Sequence, residues 1–147
     1  MTDLETPAFL CVVGPTGAGK SDLALQLALR LSELGIPAEI INADSMQCYR
    51  GMDIGTAKLS LEERQGITHH LLDWLDVTEE STAAKYQVVA RAKISELVDS
   101  GILPIVVGGS MLYVAALVNT FEFPGRDEEL RAQLEAELEE LGPVAMH

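Results

Sequence analysis

Residues 14–21 contain the clearest pattern for chemistry in this chain. They read Gly-Pro-Thr-Gly-Ala-Gly-Lys-Ser and match the spacing G-x-x-x-x-G-K-[ST] completely. Glycines lack the β-carbons that would stop backbone amides from surrounding an anion. The Lys20 ammonium can reach phosphate oxygens, and the Ser21 hydroxyl suits Mg²⁺, which prefers oxygen ligands. The segment therefore predicts a site for a phosphate or a diphosphate, and it specifies neither ATP nor hydrolysis.

Asp44 is the best-placed acid for this site. Nucleotide-hydrolysing proteins with such a loop usually place an acid after an apolar strand, where it holds magnesium. The apolar run 103–107 is followed by glycine, and Asp73 and Asp76 lie in a segment that the pattern does not assign. Asp44 follows the run 38–42, which makes it a candidate general base. The alternatives are a turn residue or a group that binds magnesium through water.

Short apolar runs predict parallel strands at 9–13, 38–42 and 103–107. The first strand is expected to be buried, with Cys11 in the core, whereas Cys48 is expected to be accessible. Separate helices between these strands imply crossover connections and a parallel sheet. Since ligands gather at the carboxyl ends of such strands, the phosphate loop, Asp44 and residues 108–110 should meet there.

Four helices are predicted around this sheet. Their apolar residues recur at helical spacing, or a capping residue precedes them, at 20–34, 82–100, 111–118 and beyond Asp127. The first of them is expected to be well buried, because leucine and alanine occupy most of its faces. Within the irregular segment 45–67, Ser60 and Glu63 have the spacing of a capping box that opens a short helix.

Composition limits the functional classes. The 147 residues carry a net charge of −13, which argues against an independent nucleic-acid-binding domain with a basic surface. A hydrophobic content of 48% excludes disorder of the whole chain. The two cysteines form no disulfide framework, and the acidic residues 1–8 lack a signal core, so a cytoplasmic protein is expected. The apolar run 102–118 contains Pro104 and three residues that favour a turn, so no membrane span is expected.

Several blocks of sequence resemble the tRNA dimethylallyltransferase (tRNA isopentenyltransferase) family. They occur in the family's order from the phosphate loop onward, at residues 42–47, 49–58, 69–73, 107–113 and 127–131. The resemblance implies an α/β fold, a P-loop NTPase-like parallel sheet with flanking helices. It also implies a division into a core at residues 1–118 and the start of a helical tRNA-binding insert at 119–147.

The family resemblance implies transfer of a dimethylallyl group from its diphosphate to the exocyclic amine of the adenine next to the anticodon. Diphosphate is released, and Mg²⁺ is the implied cofactor. Asp44 is the implied catalytic base, and Ser21 the implied magnesium ligand. The implied diphosphate-binding residues are Gly14, Thr16, Gly17, Ala18, Gly19, Lys20 and Ser21. The implied tRNA-binding residues are Asp44, Ser45, Met46, Gln47, Ser110 and Arg131.

Two departures from the family pattern affect the expected activity. Ser110 stands where threonine is usual, although the hydroxyl is kept. Family members are also longer, and the arginine that clamps the diphosphate is not matched in this chain. We therefore expect an N-terminal fragment with weak or no turnover, which self-associates through an exposed sheet edge.

Two other functions are consistent with the sequence. A P-loop small-molecule kinase that uses ATP would share the loop and the topology, although it would not explain residues 44–58. The second alternative is a truncated remnant without enzymatic activity.

Arg50 and Lys58 either contact tRNA phosphates or are solvated surface charges.

Overall fold

The computed structural model describes residues 9–125 and 127–146. The strands are β1 (Leu10–Val13), β2 (Ala38–Asn42), β3 (His69–His70) and β4 (Leu103–Gly108). The helices are α1 (Lys20–Glu33), α2 (Ala83–Asp99), α3 (Met111–Val118), α4 (Glu128–Leu141) and α5 (Pro143–Met146). Expectations about residues 1–8 lie outside the described part, and the predicted division after residue 118 stays a prediction.

The strands form one parallel sheet in the order β1-β4-β2-β3. The prediction of three strands was wrong, because the two-residue β3 adds a fourth beside β2. A two-residue strand is too short to show the alternation from which strands are recognised. The sheet nevertheless brings the carboxyl ends of β1, β2 and β4 to one edge, as predicted.

Two apolar clusters cover the two faces of the sheet. Alternate strand residues point to opposite faces, so Ile40 and Ile105 pack on α1 while Ile41 and Val106 pack on α2 and α3. On the second face, the rings of Tyr86 and Tyr113 stack with centroids 4.2 Å apart. The central strands β2 and β4 are therefore covered on both sides.

The outer elements are less buried than predicted. β1 lies at one edge of the described sheet, with Leu10 41% and Val13 50% exposed and Cys11 exposed as well, so the prediction of a buried strand was wrong. α1 buries only its face on the sheet and leaves Leu23 exposed. Cys48 is buried, which also corrects its expected accessibility.

Helices elsewhere begin and end close to the predicted residues. Thr82 caps α2 by accepting a hydrogen bond from the Lys85 amide, and Asp127 caps α4 by accepting from the Leu130 amide. Ser60 and Glu63 form the reciprocal bonds of the capping box, but the segment forms turns rather than an α-helix. The apolar run 102–118 divides into β4 and α3, and none of the described helices is long and apolar enough to cross a membrane.

Candidate active site

The phosphate loop lies between β1 and α1. Gly17 and Gly19 have φ angles of 79° and 77°, in the left-handed region that glycine adopts without a steric penalty. Gly19 is the N-cap of α1 and offers no side chain to the first-turn amides, which point toward the loop. The Lys20 ammonium donates to the carbonyl of Pro15 at 2.7 Å, across the loop. The loop thus combines backbone amides, a helix N-terminus and a cation.

The end of β4 approaches the end of β2 very closely. A β-carbon on Gly108 would lie 2.2 Å from the carbonyl carbon and oxygen of Ala43, a distance that only glycine permits. At the next residue, a β-carbon on Gly109 would lie 3.2 Å from the carbonyl oxygen of Gly14. The amide of Ala43 donates to the carbonyl of Val107 at 2.7 Å. The predicted meeting of the loop, Asp44 and residues 108–110 is confirmed.

Asp44 is held in a network just beyond β2. Its Oδ1 accepts from the amides of Met46 at 2.8 Å and Gln47 at 3.3 Å, and its own amide donates to the side chain of Asn42. The hydroxyl of Tyr86, whose pKa burial raises, donates to the Asn42 carbonyl at 2.9 Å. Asp44 thus stabilises the turn that follows it, through the bonds to Oδ1. It also lines a cleft.

A cleft of about 460 Å³ joins the phosphate loop to Asp44. That volume is within the usual range for small-molecule sites. Its walls come from the loop and α1, from the ends of β2 and β4, and from residues 47–72. The residues that line it are Thr16, Gly17, Gly19, Lys20, Ser21, Asp22, Ala24, Ile40, Asn42, Asp44, Gln47, Thr56, Ala57, Lys58, Leu59, Glu63, His69, Leu72, Val107 and Gly108.

A family model described as IPPT, IPP transferase, matches residues 47–147. This chain belongs to the IPP transferase family. A Thermobifida fusca protein named tRNA dimethylallyltransferase is 60% identical over 138 residues, which are 94% of this chain and 43% of that protein. A protein of the same name from Streptomyces griseus is 57% identical over 143 residues, or 97% of this chain and 44% of its own.

Solved structures of the family have the same fold. The tRNA isopentenylpyrophosphate transferase of Bacillus halodurans gives a TM-score of 0.74 at 43% identity, over 96% of this chain and 46% of that one. A eukaryotic dimethylallyltransferase acting on tRNA gives a TM-score of 0.71 at 34% identity, over 83% of this chain and 31% of that one. The predicted P-loop NTPase-like class is therefore confirmed. The chain spans less than half the length of these relatives.

The residues predicted from the IPP transferase family to bind tRNA fall into three places. Asp44 and Gln47 line the cleft, and Met46 next to them is 47% exposed. Ser45 and Ser110 bond to each other, with the Ser45 amide 2.9 Å from the Ser110 hydroxyl. Arg131 is exposed on α4 and pairs with Glu135 at 2.8 Å, outside the residues that line the cleft.

The two basic residues considered for phosphate contact differ in environment. Arg50 is exposed and pairs with Asp76 at 3.2 Å, so its guanidinium is accessible to solvent. Lys58 has a side chain that is only 3% exposed and pairs with Asp53 and Asp73. Lys58 is therefore not a solvated surface charge, and its contact with a tRNA phosphate stays a prediction.

His69 is a cleft residue that the sequence did not identify. Its Nδ1 is 2.9 Å from the carbonyl of Ile67, which makes Nδ1 the protonated nitrogen of the neutral ring. Burial lowers the pKa of His69, and the nearby Arg64 and His70 lower it further against the opposing effect of that carbonyl. Adjacent histidines cannot easily share one metal ion, so the sequence predicts only a structural or exposed role for His69 and His70. The position of His69 beside Ile40 in the sheet places it on the cleft side.

Proposed function

We propose that this chain forms the diphosphate-binding and adenine-binding part of a tRNA dimethylallyltransferase. The observation that carries this proposal is a single cleft lined by both Lys20 of the phosphate loop and Asp44. Membership of the IPP transferase family supports it, as does the name that the T. fusca and S. griseus relatives share. The proposed substrates are dimethylallyl diphosphate and the adenine next to the anticodon of a tRNA, and the proposed location is the cytoplasm.

The proposed reaction is a substitution at the first carbon of the prenyl group. The bond from that carbon to the diphosphate oxygen breaks, and the exocyclic nitrogen of the adenine forms a new bond to the same carbon. The nitrogen then loses a proton, for which the Asp44 carboxylate is the proposed acceptor. Negative charge grows on the leaving diphosphate, and Lys20 with the loop amides at residues 14–21 is proposed to stabilise it.

The cleft residues would fit a magnesium ion for which a bound diphosphate supplied most of the ligands. Ser21 and Asp44 supply hydroxyl and carboxylate oxygens to the cleft. Within residues 9–125 and 127–146, no group of three or more His, Cys, Asp or Glu side chains could hold a metal ion. Mg²⁺ is usually bound by one or two protein oxygens together with substrate phosphates. We propose Ser21 as its protein ligand, and when bound the ion would neutralise charge on the diphosphate.

Recognition of the RNA is proposed to involve two surfaces. An enzyme that modifies a base must take it out of the stack, and Asp44 to Gln47 are proposed to contact the extruded adenine. Arg131 on α4 offers an exposed cation for the RNA backbone, which suits a positioning contact with a phosphate. The proposed role of Ser110 at the RNA is indirect here, because its hydroxyl holds Ser45.

The test is calorimetric titration of this chain with dimethylallyl diphosphate and with ATP, each with Mg²⁺. We expect tighter binding of the prenyl diphosphate, weakened by Lys20→Ala because the loop loses its cation. Lys93→Ala is the matched control, since Lys93 pairs with Glu96 on α2 and does not line the cleft. Tighter binding of ATP would favour a small-molecule kinase. If neither dimethylallyl diphosphate nor ATP binds, the proposal of a preformed diphosphate site is contradicted.

A second measurement addresses turnover. Because the family resemblance implies a diphosphate-clamping arginine that this chain does not match, we expect weak or no prenyl transfer by the chain alone. Any transfer detected should be abolished by Asp44→Asn, while affinity for the diphosphate is retained. Transfer that survives Asp44→Asn would contradict the proposed base.

A further inference from the structure

The ammonium of Lys58 is enclosed by three oxygen atoms. It donates to the carbonyl of Tyr49 at 2.8 Å, to Asp53 Oδ1 at 2.8 Å and to Asp73 Oδ1 at 2.6 Å. An ammonium has three N–H donors, so these bonds use all of them. Burial lowers the pKa of Lys58, but the bonds and charges of Asp53 and Asp73 outweigh it and raise the pKa above its usual value. Lys58 is therefore a protonated link inside the protein.

The two segments that Lys58 joins are also the ones that hold Gln47. On one side, the side-chain amide of Gln47 donates to the carbonyl of Thr56 at 2.9 Å, within the turn that contains Asp53. On the other side, the amide of Asp73 donates to the carbonyl of Gln47 at 3.3 Å. Gln47 thus lies between the turn and the segment after β3. Its backbone amide also donates to Asp44 Oδ1, which connects it to the proposed base.

The backbone on both sides of this link adopts a conformation that needs support. Ala57, next to Lys58, has a φ of 52°, and Asp73 has a φ of 55°. Residues with a β-carbon rarely adopt this left-handed region, and they keep it where surrounding contacts hold it. Two carboxylates without the ammonium between them would also repel each other. Removal of the Lys58 charge should therefore release these two segments together.

We propose that Lys58 is a positioning residue that fixes the Gln47 wall of the cleft through Asp53 and Asp73. The proposal rests on the proposed function for what that wall binds, namely the adenine. It assigns Lys58 no contact with RNA phosphate or with the diphosphate. Lys58 and the phosphate loop line the same cleft, but within the described residues the Lys58 ammonium bonds only to Tyr49, Asp53 and Asp73, so we expect the geometry of the loop not to depend on it.

The first arm of the test measures the wall directly by amide hydrogen exchange and NMR. In Lys58→Met, we expect exchange of the Asp73 amide to accelerate by at least about tenfold, with loss of the hydrogen-bonded shift of the Gln47 side-chain amide. Amides of β4 should keep their protection. Lys93→Met is the matched control, because its ammonium forms an exposed pair with Glu96, and it should change none of these signals.

Asp73→Asn is the second variant, in case Lys58→Met does not fold. It keeps the shape of the side chain and removes one of the two carboxylates, so the same signals should change to a smaller extent. If the Asp73 amide and the Gln47 side chain are unchanged in every folded variant at Lys58 or Asp73, the proposal is overturned. Equal loss of protection throughout β4 would also overturn it, since that outcome indicates general destabilisation.

The second arm compares two ligands on the same variants. Lys58→Met should retain affinity for dimethylallyl diphosphate within about twofold, and weaken binding of an anticodon stem–loop RNA with adenine in the modified position by about tenfold or more. Equal weakening of both ligands would overturn the positioning role. If the unsubstituted chain binds neither ligand, the proposed function fails, and the exchange measurement still decides the role of Lys58.

Discussion

The hydroxyl of Ser110 accepts a hydrogen bond from the amide of Ser45 at 2.9 Å and donates to the Ser45 hydroxyl at 3.1 Å. These residues are far apart in sequence, one at the start of α3 and the other directly after Asp44. The bond therefore joins the turn after β4 to the segment that carries the proposed base. A second contact, from the Cys48 thiol to the Ser45 carbonyl at 2.8 Å, holds the same residue from the other side.

Replacement of Ser110 should reveal this role as a loss of stability. Ser110→Ala leaves the Ser45 amide without its acceptor, and we expect a cost of about 1–2 kcal/mol in the free energy of unfolding. Ser110→Thr keeps the hydroxyl and should stay within about 0.5 kcal/mol of the unsubstituted chain. Urea titration measures both, with Ser95→Ala on the exposed face of α2 as the control. Equal losses of stability in Ser110→Ala and Ser110→Thr would contradict a stabilising role for the hydrogen bond between Ser110 and Ser45.

Gly108 should tolerate no side chain. Alanine would place its β-carbon 2.2 Å from the backbone of Ala43, whose amide is bonded to the Val107 carbonyl of the same strand β4. We expect Gly108→Ala to cost more than about 3 kcal/mol or to prevent folding, because the clash is with backbone rather than with a flexible side chain. Gly55→Ala is the matched control, since a β-carbon there meets nothing within 4 Å. Comparable stability of the two variants would contradict this account.

His69 should make the protein less stable as the pH falls below neutrality. Burial lowers its pKa in the folded state, whereas the unfolded chain keeps a value of about 6.5. Below about pH 6.5 the unfolded state therefore binds more protons, and stability falls with pH until the lowered folded pKa is passed. His69→Gln removes this contribution.

The measurement is the urea midpoint between about pH 7.5 and pH 5.5, for the unsubstituted chain and for His69→Gln. The variant should show the shallower decrease on acidification. As a reference, the same titrations at about pH 7.5 to 8.5 should give parallel pH dependences, because the imidazole is then almost wholly neutral in both states. Parallel curves over the whole range would mean that His69 does not titrate differently on folding.

The exposed edge at β1 should promote self-association. β1 pairs with β4 on one side only within the described residues, and Leu10 and Val13 are exposed beside its unpaired backbone. Such an edge is a template for another strand, and a lysine on it disfavours pairing. We expect the chain to sediment as dimers or larger species, and Leu10→Lys to shift it toward monomer. Val88→Lys on α2 is the matched control, since Val88 is 68% exposed on a helix. A monodisperse monomer of the unsubstituted chain would contradict this prediction.

Local patterns in the sequence were sufficient for the elements around the site. The glycines, Lys20 and Ser21 of the phosphate loop can be recognised without the fold, because their chemistry depends on spacing within one loop. The caps Thr82 and Asp127 act on amides three residues away, so their helices begin where predicted. Parallel topology followed from the alternation of strands and helices, and it was enough to place Asp44 beside the loop.

Contacts between distant segments decided the rest. The burial of β1 depends on which strands flank it, so Cys11 lies exposed at an edge although its neighbours in sequence are apolar. The sequence does not distinguish Lys58 from a surface lysine, because only the fold brings Asp53 and Asp73 to its ammonium. His69 reaches the cleft only because a two-residue strand pairs with β2. Hydrophobic periodicity reports which face of an element is covered, whereas ion pairs, edges and cleft walls arise from residues that meet only in three dimensions.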